Sequence, residues 1–305
     1  MSESERRVDP FTGRALLVAP GRKNIGGARP GGLPQPAGRC PFCPGHEADS
    51  EATVLQWPES GPWAARVVAN KYPAVDAHEV VIESPDHDAD LADYEIPHLR
   101  GVLGLWRERV RALEAEPATA AALVFRNRGR RAGSSQPHPH TQIAATSWVP
   151  AEVRLRWRIA QDQERELGRS LHAAVLEREL ASSRVLSSDP RVVSFCPYAP
   201  SRPFELRFAP REARGGFATA EDSDLDSLAA QLRDAALRLR VHTGIEDYNL
   251  VMRQPPARER GPAAAWHLEL LPRTGGDAGF ELATGEMIVV VAPEVAAAQL
   301  MRPLA

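Results

Sequence analysis

The chain has 305 residues, of which 43% are apolar and 25% charged, a composition that gives a globular protein of one large or two ordinary domains with a sizeable core. Its formal charge of -3 excludes the strongly basic balance of a dedicated nucleic-acid binder and leaves small phosphorylated substrates compatible. No apolar run reaches the ~18 residues of a membrane span, and Met1-Ser2-Glu3-Ser4-Glu5-Arg6-Arg7 lacks the apolar core of a secretory signal, so a cytoplasmic protein without membrane contact is expected. Cys40, Cys43 and Cys196 are an odd set that does not read as a disulfide framework.

In chain order, residues 1 to 48 are rich in Gly, Pro and Arg around the short apolar run Ala15-Leu16-Leu17-Val18, which predicts a strand among loops. Strands follow at Trp63 to Val68 and His78 to Glu83, and apolar residues at helical spacing (Leu99, Val102, Leu103, Trp106) predict a helix over about 96 to 114. Ala122 to Arg126 and Thr141 to Ala144 read as two more strands. From about 151 to 182 a charged stretch with spaced apolar residues gives one or two connecting helices. The order then recurs: strands at Val192 to Phe195 and Phe204 to Phe208, a helix over about 222 to 241, and strands at Asn249 to Met252 and Trp266 to Leu270. Two related α+β halves, each a mainly antiparallel sheet with helices packed on it, is the economical reading, with residues 1–165 and 166–305 as the units. Neither half has the Gly-rich strand-to-helix turn of a Rossmann unit or a P-loop.

The chemistry concentrates in Gly133-Ser134-Ser135-Gln136-Pro137-His138-Pro139-His140-Thr141-Gln142. On an extended strand, residues i and i+2 share a face roughly 7 Å apart, so His138 and His140 point the same way, and the serine hydroxyls suit phosphate oxygens. Neutral imidazole is a good nucleophile towards phosphorus at pH 7. Gln142, on the same face, has an amide able to donate to a phosphate oxygen as charge develops. Cys40-Pro41-Phe42-Cys43 among Gly and Pro has the spacing of two thiolates on one tetrahedral metal, and Pro44-Gly45 argues against the helix start of a redox pair. Either His87 or His138 could complete a Cys2His2 set; His46, His78, His98, His172 and His242 carry no spacing signal.

Taken together these segments resemble the galactose-1-phosphate uridylyltransferase family of the histidine-triad superfamily. The likeness runs from Asp9-Pro10-Phe11-Thr12-Gly13 through Cys40-Pro41-Phe42-Cys43, Asn70-Lys71-Tyr72-Pro73, Ser84-Pro85-Asp86-His87, Asn127-Arg128-Gly129 and the histidine motif to Trp266-His267-Leu268-Glu269 and Gly279-Phe280-Glu281. The resemblance implies two histidine-triad-like halves, the first carrying the nucleophile and the second degenerate. It implies that His140 takes a nucleotidyl group from a nucleoside diphosphate sugar and passes it to a sugar 1-phosphate, with Gln142 and Ser135 assisting. Arg22, Asn70, Asn127, Gly133, Ser134, Ser135 and Gln142 fall at substrate positions, and Cys40, Cys43, His87 and His138 at those of a structural zinc. A homodimer is implied as well. Three departures stand out. Thr141 occupies a position where many relatives carry glycine. Glu269 takes the place of a histidine of a second metal site and Arg154 and Arg156 lie where its carboxylate would come from, so no second metal is expected. The segment Thr284 to Val289 departs from the sugar-facing segment of the well-known enzymes. The other readings are a phosphorylase or adenylyltransferase using the same His140 with inorganic phosphate as acceptor, a non-catalytic nucleotide-binding zinc protein, and a nucleic-acid-binding zinc protein that the charge balance disfavours.

Overall fold

The structure, a computed structural model, describes residues 5–18, 40–75, 77–212, 214–276 and 278–304. Thirteen strands and six α-helices are formed among those residues. In the first half, β3 (Thr53–Trp57), β4 (Ala65–Ala69) and β5 (Ala77–Ile82) precede α1 (Ile96–Ala115), which leads to β6 (Ala121–Arg128) and β7 (His140–Thr146). After α2 (Ala151–Leu167) and α3 (Leu171–Leu180), the second half repeats the pattern with β8 (Val185–Ser188), β9 (Val192–Phe195), β10 (Leu206–Pro210), α4 (Asp222–Thr243), β11 (Tyr248–Arg253) and β12 (His267–Pro272).

These ten strands form one antiparallel sheet in the order β3-β4-β5-β7-β6-β11-β12-β10-β9-β8. The order is symmetrical about the β6–β11 junction, so the halves meet edge to edge and each closes the other's open strand. The junction register places Asn249 opposite Asn127 and Leu250 opposite Arg126. Residue 166 lies in the last turn of α2.

One face of the sheet is covered by α1 and α4, which pack against each other. Alternation along the strands decides what goes there. In β7 Ile143 and Ala145 join the core; in β12 Leu268 and Leu270 do the same, with Leu99, Trp106, Leu228 and Leu232 from the helices. Pro97 sits in the first turn of α1, and α4 opens with a reciprocal box between Glu221 and Asp224 and ends at Gly244 in the left-handed region. The opposite face carries His140 and Gln142 in the first half and His267 and Glu269 in the second. A small sheet, β1 (Glu5–Val8), β2 (Ala15–Val18) and β13 (Met287–Val289), has β13 parallel to β2 and so joins segments from near both ends of the chain. It is followed by α6 (Pro293–Leu300), and α5 (Gly279–Thr284) precedes β13.

The expected elements are all formed, with shifted bounds. The strand expected from Phe204 begins at Leu206, because Phe204 has φ 62, a left-handed conformation no strand contains. The edge strands β3 and β8, each with an irregular register against its neighbour, are additions to the expected pattern, as are β1, β13, α5 and α6.

Beneath β7 lies a buried polar cluster. Arg126, 1% exposed, donates from Nε to both oxygens of Glu83 at 3.0 Å and from Nη2 to Asp90 at 2.9 Å. Tyr248 of the second half accepts from Arg126 and donates to Asp90, while the Thr141 hydroxyl donates to Glu83 at 2.6 Å. Removing one member of such a set leaves the others as uncompensated buried charges. An Arg126→Met variant is therefore expected to lose about 3–5 kcal/mol of unfolding free energy, measured by urea denaturation; a loss below ~1 kcal/mol would show that the cluster is not a structural requirement.

Candidate active site and metal cluster

Every group needed to orient His140 comes from the two strands and one loop around it. Its Nδ1 lies 2.9 Å from the carbonyl oxygen of His138, so Nδ1–H donates and the Nε2 lone pair is left facing the cleft. Burial lowers the pKa of the imidazole, opposed by that hydrogen bond, which keeps the ring neutral at physiological pH. The loop backbone is itself tied down, since Glu83 N–H donates to the carbonyl of Pro139 at 3.1 Å. The Phe42 ring packs against the imidazole with centroids 5.6 Å apart.

The cleft over His140 has a volume of about 390 Å3, and its walls include Asn70, Ser135 and Gln142 with Phe42, Lys71 and Tyr72. It falls within the usual range for small-molecule sites. Of the residues expected to contact substrate, Asn70, Ser135, His140 and Gln142 line this space. Asn127 is on the same sheet face, one residue beyond the Arg126–Thr141 pair, and its amide oxygen accepts from Asn249 at 2.7 Å. Gly133, with φ +82, turns the loop that delivers the serines. The Ser134 hydroxyl donates within that loop to the carbonyl of Gln136 at 2.6 Å, so it closes the turn. Arg22 lies outside the described residues.

The loop is held from the other half. Asp247 accepts from the Arg131 amide at 3.0 Å, and Asn249 donates to the carbonyl of Ala132 at 2.9 Å. A Cβ on Gly129 would stand 2.0 Å from Asp247 Oδ1, so this close approach requires glycine.

Next to His140, Cys40, Cys43, His87 and His138 place one donor atom each within 4.8 Å of one another. Cys43 Sγ is 3.4 Å from His87 Nδ1 and 3.6 Å from His138 Nδ1, and the two Nδ1 atoms are 3.4 Å apart. A tetrahedral zinc with ordinary Zn–S and Zn–N bonds has ligand-to-ligand edges of roughly 3.3–3.8 Å, so the donor types fit and the three edges among Cys43, His87 and His138 fall in that range. His138 Nε2 is 2.8 Å from the carbonyl of Ser84, which fixes the proton there and turns Nδ1 to the other donors. Burial and the neighbouring Cys40 push the Cys43 thiol up to about 11; a cation is what would hold both sulfurs as thiolates. The sequence left the choice between His87 and His138 open on spacing, and the fold brings both in.

The N-terminal domain of galactose-1-phosphate uridyl transferase, as a family model, matches residues 73–150. The chain is 27% identical to an ADP-glucose phosphorylase of Arabidopsis thaliana across 95% of its own length and 90% of the relative's. It is 30% identical to a galactose-1-phosphate uridylyltransferase of Streptomyces lividans, over 69% of this chain and 57% of that protein. A crystal structure of the ADP-glucose phosphorylase from Arabidopsis thaliana with bound ADP-glucose superposes with a TM-score of 0.88 at 27% identity, covering 99% of both chains. The chain is similar over nearly its whole length to proteins of the galactose-1-phosphate uridylyltransferase kind, and residues 73–150 match that family's N-terminal domain.

The second half holds the counterpart of β7 in altered form. His267 and Glu269 on β12 occupy the face that His140 and Gln142 occupy on β7. Glu269 Oε2 accepts from Arg253 at 2.7 Å, and Arg156 approaches Oε1 at 3.5 Å. Burial raises the carboxyl's pKa, but Arg253 and Arg156 outweigh it and hold Glu269 well below the usual range. Burial drops His267 to about 4. Guanidinium groups surround this carboxylate, and Cys40, Cys43, His87 and His138 are the one metal-competent cluster among the described residues. No helix among them is long and apolar enough to cross a membrane.

One residue that sequence reasoning passed over belongs to the site. His78 Nδ1 accepts from the Ala74 amide at 3.1 Å, so its proton is on Nε2, which donates to Gln142 Oε1 at 3.0 Å. This turns the Gln142 NH2 towards the cleft. Only the β5–β7 register, with Val80 opposite Gln142, makes the pair neighbours. A His78→Phe variant should fold but lose roughly 10- to 100-fold in turnover, less than the ~10²–10³ expected when a transition-state donor is deleted outright; steady-state kinetics with an unchanged kcat would remove the positioning role.

Proposed function

We propose that the protein transfers a nucleotidyl group from a nucleoside diphosphate sugar through His140. The observation that carries this is the imidazole itself: Nδ1–H is held by the His138 carbonyl and Nε2 opens into a cleft lined by Ser135 and Gln142. Nε2 attacks the α-phosphorus, the bond to the bridging oxygen breaks, and sugar 1-phosphate leaves with that oxygen. Gln142 NH2, oriented by His78, donates to a non-bridging oxygen as negative charge accumulates, and Ser135 offers a second donor. Asn70, whose side-chain oxygen accepts from the Tyr72 amide at 2.8 Å, lines the cleft and in this reading contacts the nucleoside. An incoming phosphate oxygen then attacks the same phosphorus and releases neutral His140. Asn127, and Gly133 with Ser134 through the loop they shape, complete the phosphate end.

Two acceptors fit this step. Likeness across nearly the whole chain to an ADP-glucose phosphorylase favours inorganic phosphate, with adenylyl as the group carried. The matches to galactose-1-phosphate uridylyltransferases support the second reading, uridylyl transfer to a hexose 1-phosphate. In either case the metal cluster holds structural zinc: it clamps the 40–43 turn, His87 and the 138–140 segment together beside the nucleophile.

Intact mass after incubation with ADP-glucose and, separately, UDP-glucose is expected to show a nucleotidyl-sized adduct with one of them, and none in His140→Ala. Adding inorganic phosphate or galactose 1-phosphate to the isolated adduct identifies the acceptor by which one discharges it. Near-normal turnover by His140→Ala would sink the mechanism.

Cys43→Ser should lose bound zinc, measured by elemental analysis, and lower the melting temperature before it abolishes transfer. Structural zinc contributes ~10–16 kcal/mol in small domains, and a larger core retains part of the fold without it. An unchanged metal content in the variant would reject the assignment.

A further inference from the structure

β6 lies between β7 and β11, and on the cleft side of the sheet its Asn127 has His140 at the next register position on one flank and Asn249 on the other. Asn249 is buried, and its neighbours allow its amide only one orientation. The Arg273 guanidinium can only donate and gives its Nε–H to Oδ1, while the carbonyl of Ala132 can only accept and takes a hydrogen from Nδ2 at 2.9 Å. Turned over, the amide would set N–H against N–H and oxygen against oxygen. Its second Nδ2 hydrogen points at Asn127 across 2.7 Å, so the atom there is the oxygen, Oδ1. The NH2 of Asn127 is thereby turned away from β11 and has no protein acceptor among the described residues. Arg273 is itself placed by the backbone: it directly follows β12, and its N–H donates to the carbonyl of Asp247 at 2.8 Å.

We propose that Asn249 is a positioning residue for the transfer step: it holds Asn127 with its NH2 towards the phosphorus at His140, as a second amide donor beside Gln142. This inference rests on the nucleotidyl-transfer reading. The two ends of a primary amide are nearly equal in size and opposite in hydrogen-bonding sense, so an amide left free can present either one to a phosphate, and its oxygen would repel. Both amides at this site are held by the oxygen, Gln142 through His78 on β5 and Asn127 through Asn249 on β11. Each therefore presents N–H. The α-phosphorus carries two non-bridging oxygens, and donors oriented before the substrate arrives need no reorganisation as charge builds on them. The second half of the chain thus acts on the chemistry by fixing the direction of a donor, without touching substrate.

The test is a double-mutant cycle on the full chain, reading kcat and KM for ADP-glucose or UDP-glucose, whichever forms the adduct. Asn249→Asp keeps an acceptor for Arg273 but sets a carboxylate oxygen against Asn127, which then turns its NH2 to the carboxylate and its oxygen to the phosphate. Asn127→Ala is expected to lower kcat ~10²-fold, and Asn249→Asp at least as much, with KM changed less than about threefold in each. The double variant is expected to be slower than the worse single variant by no more than about threefold, because without the Asn127 amide its orientation no longer counts. Asp247→Ser, which loosens the same loop and leaves the Asn249–Asn127 pair in place, is expected to multiply with Asn127→Ala instead. If Asn249→Asp does not fold, Asn249→Ser removes the donor without adding a charge and runs the same cycle. Losses that multiply between positions 249 and 127 would overturn the inference and leave Asn249 a support of the loop alone. If native protein forms no adduct, the nucleotidyl-transfer reading falls by itself, and the cycle is read in the Kd of AMP and UMP by calorimetry: coupled losses uphold the orientation of Asn127, and multiplied or absent ones overturn it.

Discussion

Arg126 is the point on which the structure turns. It is a charged residue in the middle of a ten-stranded sheet, 1% exposed, and it is stable there only because Glu83, Asp90 and Tyr248 surround its guanidinium. Those partners come from the end of β5, a loop and the second half of the chain. The Thr141 hydroxyl, pointing down from β7, donates to the same Glu83. A side chain with a hydroxyl at this position therefore fastens the strand that carries His140 to a charge network on the side opposite the cleft. Where glycine stands instead, that attachment does not exist. The departure visible in the sequence at Thr141 is thus one half of an interaction whose other half is a carboxylate 58 residues earlier.

The two halves share a strand pattern and have diverged in what the open face does. On β7 the alternation exposes an imidazole and an amide to a cleft; on β12 the same positions give an imidazole at about 4 and a carboxylate enclosed by arginines. The second half serves the first by holding it. Asp247 and Asn249 grip the 129–136 loop, and the glycine at 129 is required by how closely Asp247 approaches. Orientation of the first site thus depends on residues more than a hundred positions away in sequence.

Much of this was legible in the sequence because the signals were local. The alternation in Thr141 to Ala144 and the helical spacing from Leu99 to Trp106 marked the elements, and the i, i+2 histidines with the C-x-x-C turn marked side chains that the fold brings together. His78 was not legible: it sits in an ordinary strand, and its value comes from a register that pairs Val80 with Gln142. Edge strands β3 and β8 are short and bulged, so they lack clean alternation. Phe204 opens the alternating stretch Phe204 to Phe208 that looks like strand, but its left-handed backbone delays β10 by two residues. In the four-residue cluster, spacing named the cysteines and did not settle the histidines, because both are brought in by how the 83–87 and 138–140 segments hydrogen-bond to each other.

The β6–β11 junction also has a consequence for the chain as it is made. β6 ends at Arg128 and its outer neighbour begins at Tyr248. At synthesis rates of about 5–20 residues per second, the nascent first half would present a bare strand edge for roughly 6–24 s. An unpaired edge of this kind invites pairing with another chain. The polar row on β6, with Asn127 and Arg128 near its end, makes that edge less attractive to a stray partner while it waits for the one encoded downstream.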